Sequence, residues 1–271
     1  MMRPVITLTT DFGRRDAWVG TMKGVIVGIA GDVTIVDISH DIAAHDVEEA
    51  ALVLEAAARW FPPGTIHVAV VDPGVGTARR GLVVEAGGHR FVGPDNGVFT
   101  PFLVNEARTF ELDAPAYRLP AVSATFHGRD VFAPAAAHLA LGVDPARFGP
   151  RVAATRLAWD VATVDGTRIR GRVVHVDRFG NLVTSIRAGL VAAAGEGLRV
   201  KLGRQLLPLV RTYGDLRRRH AGALIGSGER LEIAVREGNA ARRFSAGRGT
   251  PVVVETLPVR TRRSSQLTRK P

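Results

Sequence analysis

The sequence predicts an α/β N-terminal domain, a mainly parallel sheet between helices, followed by a smaller all-β, barrel-like C-terminal domain. Three observations carry this. Up to about residue 145, short β-rich runs alternate with amphipathic helical stretches, the rhythm of a sheet covered on both faces. Beyond residue 168 the helical period disappears, and short strand-like runs recur between glycine-bearing turns. The chain has 271 residues, 46% of them hydrophobic, enough length for two packed cores.

Taken in order, residues 4–9 form a β-rich run ending in Thr10-Asp11-Phe12-Gly13. A helix is expected over 16–30, with Trp18, Met22, Val25, Ile26 and Ile29 on one face. A second strand follows at 33–38. A second helix over 46–61 has Glu48 and Glu49 in its first turn, where the helix dipole favours them, and Pro62-Pro63-Gly64 as its stop. The third strand covers 65–71. Strands at 82–85 and 90–92 are joined by Gly87-Gly88, a helix is expected near 98–106, and the last helix of this half spans 130–141. Strands are then expected at 168–177, 182–186, 198–202, 206–210, 223–225, 231–235 and 251–255. The expected domains are 1–155 (α/β), 156–168 (linker), 169–258 (β domain) and 259–271, a basic tail without fixed structure.

The net charge of +10 invites a nucleic-acid reading, but its distribution argues against one. One short run is Arg217-Arg218-Arg219, and the tail alone carries Arg260, Arg262, Arg263, Arg269 and Lys270 with no acid. The absence of cysteine excludes disulfides, thiolate metal sites and a Cys nucleophile. No apolar run approaches the ~18 residues of a membrane span, so a soluble, cytoplasmic protein without a membrane partner is expected.

The stretch VVDPGVGTARR, residues 70–80, ends a buried strand in an acid, a stiff turn and two cations. It resembles a nucleotide-binding glycine loop, but such a loop opens a helix, whereas here another strand follows. TDFG at 10–13 has no room before it for a kinase nucleotide lobe. DISHDIAAHD, residues 37–46, gathers acids and histidines. It admits either a divalent metal or a capped, solvated loop in which Asp46 starts a helix, and the second is favoured, so no metal is expected. His127 precedes a helix in FHGRDVFAP. Asp177, Phe179 and Asn181 close a strand in HVDRFGN, where a tight turn or an adenine pocket both suit the residues. Asp11, Asp16, Asp37 and Asp72 fall at C-terminal ends of the expected parallel strands, the rim where open α/β sheets bind ligands. Four unpaired acids there would repel and shift one another, which a cation such as Arg79 or a cationic ligand would relieve, so a positively charged, hydroxyl-bearing substrate fits better than a phosphate ester.

The blocks TLTTDFG, WVGTMKGVI, VDISHDI, DVEEAA, FPPGTIHVAVVDPGVGTARR, FVGPDNGV, HGRDVFAPAAAHLA and VDRFGNLVTSI run in order through both halves. Together they resemble the S-adenosyl-L-methionine (SAM) hydroxide adenosyltransferases, or SAM hydrolases, relatives of fluorinases and chlorinases. The likeness covers about residues 4–257, and the tail after 258 has no counterpart. It implies the two-domain fold and a homotrimer with sites at subunit interfaces. It also implies hydrolysis of SAM to adenosine and methionine, with SAM as substrate and no cofactor. The family's Asp-Arg-His set falls on Asp72, Arg79 and His127, with the proton going to Asp72 or His127. Asp11 matches the carboxylate on the ribose hydroxyls, and Asp16 and Asp177 match acids near the methionine ammonium. Phe126 and Phe179 match aromatic walls, Asn181 an adenine-reading amide, Ser227 a contact at the methionine end, and Val235 a backbone contact to adenine.

The departures from the halogenating branch point to water as nucleophile. That branch has an aromatic residue where this chain has Asp72, whose carboxylate repels a halide. It has a tyrosine-serine pair in place of His127-Gly128, and a long insertion where Gly87-Gly88 stands here. The alternative expectation is a non-catalytic SAM or adenosine sensor.

Overall fold

The computed structural model describes residues 3–104, 106–158 and 162–256. The chain divides into two compact units, 1–159 and 160–271. The expected basic tail lies outside the described residues.

Unit 1 is built on a six-stranded sheet. Its strands are β1 (Val5–Thr10), β2 (Thr34–Ser39), β3 (Ile66–Val70), β4 (Gly81–Ala86), β5 (His89–Pro94) and β6 (Arg108–Glu111), in the spatial order β2-β1-β3-β5-β4-β6. The pairs β1/β2, β1/β3 and β3/β5 are parallel, whereas β4 runs antiparallel to both β5 and β6. The expected mainly parallel sheet is therefore corrected to a mixed one. The cause is local: Gly87 and Gly88 adopt φ of 57° and 79°, a two-residue turn that only a hairpin can use. The helix expected at 98–106 reduces to a single 3₁₀ turn, Thr100–Phe102, with Pro101 inside it.

Helices α1 (Trp18–Ile29) and α3 (Ala133–Ala140) cover one face of the sheet, and α2 (Val47–Ala58) covers the other. Strand β3 is buried throughout, and its side chains alternate between the two cores. Val68 and Val70 pack with Met22, Ile26 and Phe132, while Ala69 and the following Val71 pack with Leu54 and Phe91. Asp46 caps α2 by accepting from the Glu49 N–H at 2.9 Å, the capping role weighed above. Strand β1 lies between β2 and β3, so the chain steps to one side of β1 and then the other. The C-terminal ends of β1 and β3 thus flank the crevice where such sheets bind ligands.

Unit 2 is an antiparallel, nearly closed, barrel-like sheet. It comprises β7 (Thr163–Asp165), β8 (Arg168–Val176), β9 (Leu182–Arg187), β10 (Leu198–Leu202), β11 (Gln205–Pro208), β12 (Ala221–Ile225), β13 (Arg230–Val235) and β14 (Pro251–Thr256). The order is β11-β10-β14-β8-β9-β13-β12, with β7 beside β8. The two ends approach where the Val210 N–H donates to the Ala223 carbonyl at 2.8 Å. Strand β7 lies within the span read as linker. Two short helices, α4 (Ala188–Ala193) and α5 (Ala240–Phe244), were not expected. Val173, Ile186, Leu231, Ile233, Val252 and Val254 fill the interior.

Candidate active site

The loop after β3 answers the puzzle of an acid followed by two arginines. Pro73 and the Val75 N–H bond back to the Asp72 carbonyl (3.2 Å) turn the chain, and Gly76 takes φ of 78°. A Cβ on Gly76 would stand 2.4 Å from the Ala124 carbonyl oxygen, so only glycine fits. The turn brings Arg79 back onto Asp72. Its Nε donates to Asp72 Oδ1 at 2.9 Å, and its Nη2 donates to Oδ2, a bidentate pair. The side chains are only 6% (Asp72) and 11% (Arg79) exposed. Arg80 instead pairs with Asp95, at 2.5 Å, and Asp95 also accepts the Thr155 N–H. Asn96 donates to the Val71 carbonyl at 2.8 Å and so pins the residue before Asp72.

His127 joins from 48 residues away, its Nδ1 2.9 Å from Arg79 Nη2. A guanidinium can only donate, so Nδ1 is the acceptor and a neutral ring carries its proton on Nε2. Burial first, and the Arg79 charge second, push the His127 pKa below its usual 6.5. The ring is therefore neutral at physiological pH. A π turn, Gly128–Phe132, follows His127 and leads into α3, an irregularity frequent at functional sites. Within it Asp130 is fully buried. Burial alone would raise its carboxyl, but the Arg129 side chain and the Ser123 N–H outweigh that and hold it ionised.

Asp72 and His127 line a cavity of about 340 Å³ together with Asp11, Phe12, Trp18, Phe126 and others. Phe126 meets Phe12 and Trp18 edge to face, with centroids 5.7 and 5.1 Å apart. Asp11 Oδ2 accepts the His45 N–H at 2.9 Å. A larger open groove of about 720 Å³, lined by Gly87, His89, Arg90 and Arg108, lies at the opposite strand ends and contains none of the expected site residues.

Of the four rim acids, Asp11 and Asp72 share the cavity. Asp16 is exposed and does not line it. Asp37 lies within β2, where it binds Lys23 at 2.7 Å and His40 at 3.1 Å. Arg79 relieves Asp72 as anticipated, and Lys23 does the same for Asp37, so the rim does not carry four unpaired acids. Among the described residues no three His, Cys, Asp or Glu side chains gather as a metal site. Phe12 and Trp18 were not singled out as wall residues. Phe12 stood in a stretch set aside as a chance kinase likeness, and Trp18 matched a helix stripe, although it is 48% exposed.

In unit 2, residues 177–181 form the turn between β8 and β9. Asp177 Oδ1 accepts the N–H groups of Phe179 and Asn181 at 2.9 and 2.8 Å, and Oδ2 accepts Asn181 Nδ2 at 2.9 Å. The Asn181 amide is thereby oriented and nearly buried, while Phe179 is 74% exposed. A Cβ on Gly180 would strike the Asn239 amide at 2.1 Å. Ser227 sits in the turn from β12 to β13, and the Val235 carbonyl accepts the Gly238 N–H at 3.0 Å. Two further residues belong to this region. Tyr213 donates to Glu232 Oε2 at 3.0 Å. Burial first pushes the Tyr213 pKa up to about 12, and burial followed by the Asp177 charge raises that of Glu232. Nothing in the local pattern around Tyr213 signalled this pairing, because its partner lies 19 residues away on a strand.

Residues 6–149 match the SAM hydroxide adenosyltransferase N-terminal domain, and residues 171–253 match the C-terminal domain. The (R)-S-adenosyl-L-methionine hydrolase of Thermus thermophilus is 41% identical over 261 residues, covering 93% of this chain and 99% of that protein. The fluorinase of Nocardia brasiliensis is 28% identical over 250 residues, covering 79% and 83%. The crystal structure of an uncharacterized conserved protein from Thermotoga maritima superposes with a TM-score of 0.85 at 34% identity, covering 92% and 99%. The chain belongs to the SAM hydroxide adenosyltransferase family.

Proposed function

We propose that this protein hydrolyses S-adenosyl-L-methionine to adenosine and L-methionine by attack of water at the ribose 5′ carbon. The observation that carries the reading is the meeting of Asp72, Arg79 and His127 at the wall of a cavity that Asp11 also lines. A carboxylate such as Asp11 can accept from both hydroxyls of a ribose. The rings of Phe12, Trp18 and Phe126 supply the apolar walls that nucleoside sites use.

The chemistry asks little of the protein beyond positioning. A new C5′–O bond forms as the C5′–S bond breaks, and its electron pair returns to sulfur, neutralising the sulfonium. Methionine leaves as a neutral thioether, so neither a leaving-group acid nor a cofactor is required. The attacking water becomes strongly acidic as its bond to carbon forms, so a weak base suffices. His127 Nδ1 is occupied by Arg79 and its Nε2 bears the proton, which favours Asp72 as the acceptor. His127 then donates from Nε2 and orients the water, and Arg79 holds both partners in place. Attacking water must lose a proton and a halide has none to lose, so a wall offering the Asp72 carboxylate as acceptor fits water.

The cavity volume is at the low end of the ~300–1,000 Å³ common for ligand pockets. In this reading the exposed Phe179, with Asp177, Asn181, Ser227 and Val235, completes the pocket from unit 2 of a neighbouring copy in a homotrimer. Asp16 joins Asp177 near the methionine ammonium once that neighbour is in place. Purified protein incubated with SAM should release adenosine and methionine in equal amounts, measured by chromatography. Tight binding without turnover would replace the enzyme with a sensor, and methylthioadenosine as main product would redirect the reaction.

A further inference from the structure

The motif DISHDIAAHD does more than cap a helix. His40 is 3% exposed, and its Nδ1 lies 2.9 Å from the hydroxyl of the fully buried Thr10. Its Nε2 lies 3.1 Å from Asp37 Oδ1, outside hydrogen-bond geometry. Asp37 is held in turn by Lys23 Nζ at 2.7 Å. Burial works to raise the Asp37 carboxyl, but the Lys23 hydrogen bond and the neighbouring His40 outweigh this and keep it ionised. At the other end, Thr10 Oγ1 accepts the Phe12 N–H at 3.3 Å, and the His40 carbonyl accepts the Gly13 N–H at 2.8 Å.

These contacts bracket Asp11. Thr10 before it and Gly13 beyond it are tied to His40, the Phe12 N–H is tied to the Thr10 hydroxyl, and its own carboxylate receives the His45 N–H. His45 takes φ of 66°, an uncommon left-handed conformation for a side chain-bearing residue. Asp11 therefore stands in a loop clamped by the 40–45 segment, with one oxygen already engaged.

We propose that His40 is a positioning residue, and that the Lys23–Asp37–His40–Thr10 chain sets the Asp11 carboxylate to receive a ribose diol. The claim rests on the nucleoside reading of the cavity. Its logic is that a charged acceptor discriminates a diol from a single hydroxyl only when its direction is fixed; otherwise it re-aims and the missing hydroxyl matters little.

The test is the ratio of affinities for adenosine and 2′-deoxyadenosine, measured by calorimetry without any turnover. The unaltered protein should prefer adenosine by about tenfold or more, as expected for one hydrogen bond to a charged group. Thr10→Val, close in size and lacking only the hydroxyl link, should reduce the preference to about threefold or less. Thr10→Ser should restore it. Should Thr10→Val fail to fold, Asp37→Asn interrupts the same chain at a partly exposed position and should give the same loss. A folded Thr10→Val or Asp37→Asn protein that keeps the full preference overturns the proposal. Equal binding of both nucleosides by the unaltered protein would instead overturn the role of Asp11, and this proposal with it, whatever the protein does to SAM.

Discussion

The two units carry their candidate residues in opposite ways. In unit 1 the central groups are buried and bound to one another, Asp72 to Arg79 within one loop and Arg79 to His127 and Thr10 to His40 across 48 and 30 residues. In unit 2 the contacts of Asp177 and Asn181 are local. Asp177 is spent on the turn that contains it, and Phe179 projects into solvent. A buried, mutually constrained set is preorganised for bond-making, whereas an exposed ring beside an oriented amide is suited to recognition. Turnover and ribose recognition should therefore depend on unit 1, and recognition of the base on unit 2.

The largest expected effect is at Arg79. Arg79→Met leaves the Asp72 carboxylate buried without its partner, at a stability cost of about 3–5 kcal/mol. It also unties His127, and kcat should fall by about 10²-fold or more. The charge of Arg79 also bears on pH. Because the His127 pKa is lowered, the neutral ring persists below pH 6.5, and the acid limb of kcat should lie there. In Arg79→Met one cause of the lowering is removed, so any residual activity should lose its acid limb at a higher pH than in the unaltered protein. An unchanged limb would separate His127 from the reaction.

An intermediate effect is expected at Phe179. Phe179→Ala removes a stacking surface worth about 1–3 kcal/mol against a nucleobase, which should raise KM about tenfold with kcat nearly unchanged. A fall in kcat with constant KM would erase the division of labour between the units. Asn181→Ala should act in the same direction, but part of its effect would come from loosening the turn around Asp177.

The smallest effect on turnover is expected at His67, which is buried in unit 1 but lies outside the candidate site. It touches Thr7 Oγ1 at 2.8 Å and stacks on Phe91, and burial, followed by the His89 charge, lowers its pKa to about 3. The folded protein resists a proton that the unfolded chain takes up at about 6.5. Stability from this residue is therefore complete above pH 6.5 and is lost as the pH falls from there toward about 3. His67→Gln should flatten that part of the stability profile, followed by chemical unfolding at several pH values, and leave kcat and KM in place.

What the sequence made legible was local or positional. Asp46 announced a cap, Pro62-Pro63-Gly64 a stop, and the apolar run before Asp72 a buried strand ending at a rim. The apolar residues from Val98 to Leu103 fit a helix as well as a buried loop, and Pro101 decided for the loop. Strand β6 is short and charged, and it exists only because β4 offers an edge in register. The pairing of Asp37 with Lys23 and His40 depends on β2 lying beside α1, which no single motif reveals. Asp11 and Asp72 were legible at the ends of parallel strands and His127 just before a helix, whereas Phe126 came from the family resemblance. Asp16 was read both as a rim acid and as a match to the resembled family, and it stands outside the unit 1 cavity.

The most direct measurement is to run the reaction in water enriched in oxygen-18 and analyse both products by mass spectrometry. Attack at C5′ by a water held between Asp72 and His127 puts one labelled oxygen in the adenosine 5′-hydroxyl and none in methionine. Adenosine without the label would mean that the new bond is not formed between water and C5′, and would contradict the account.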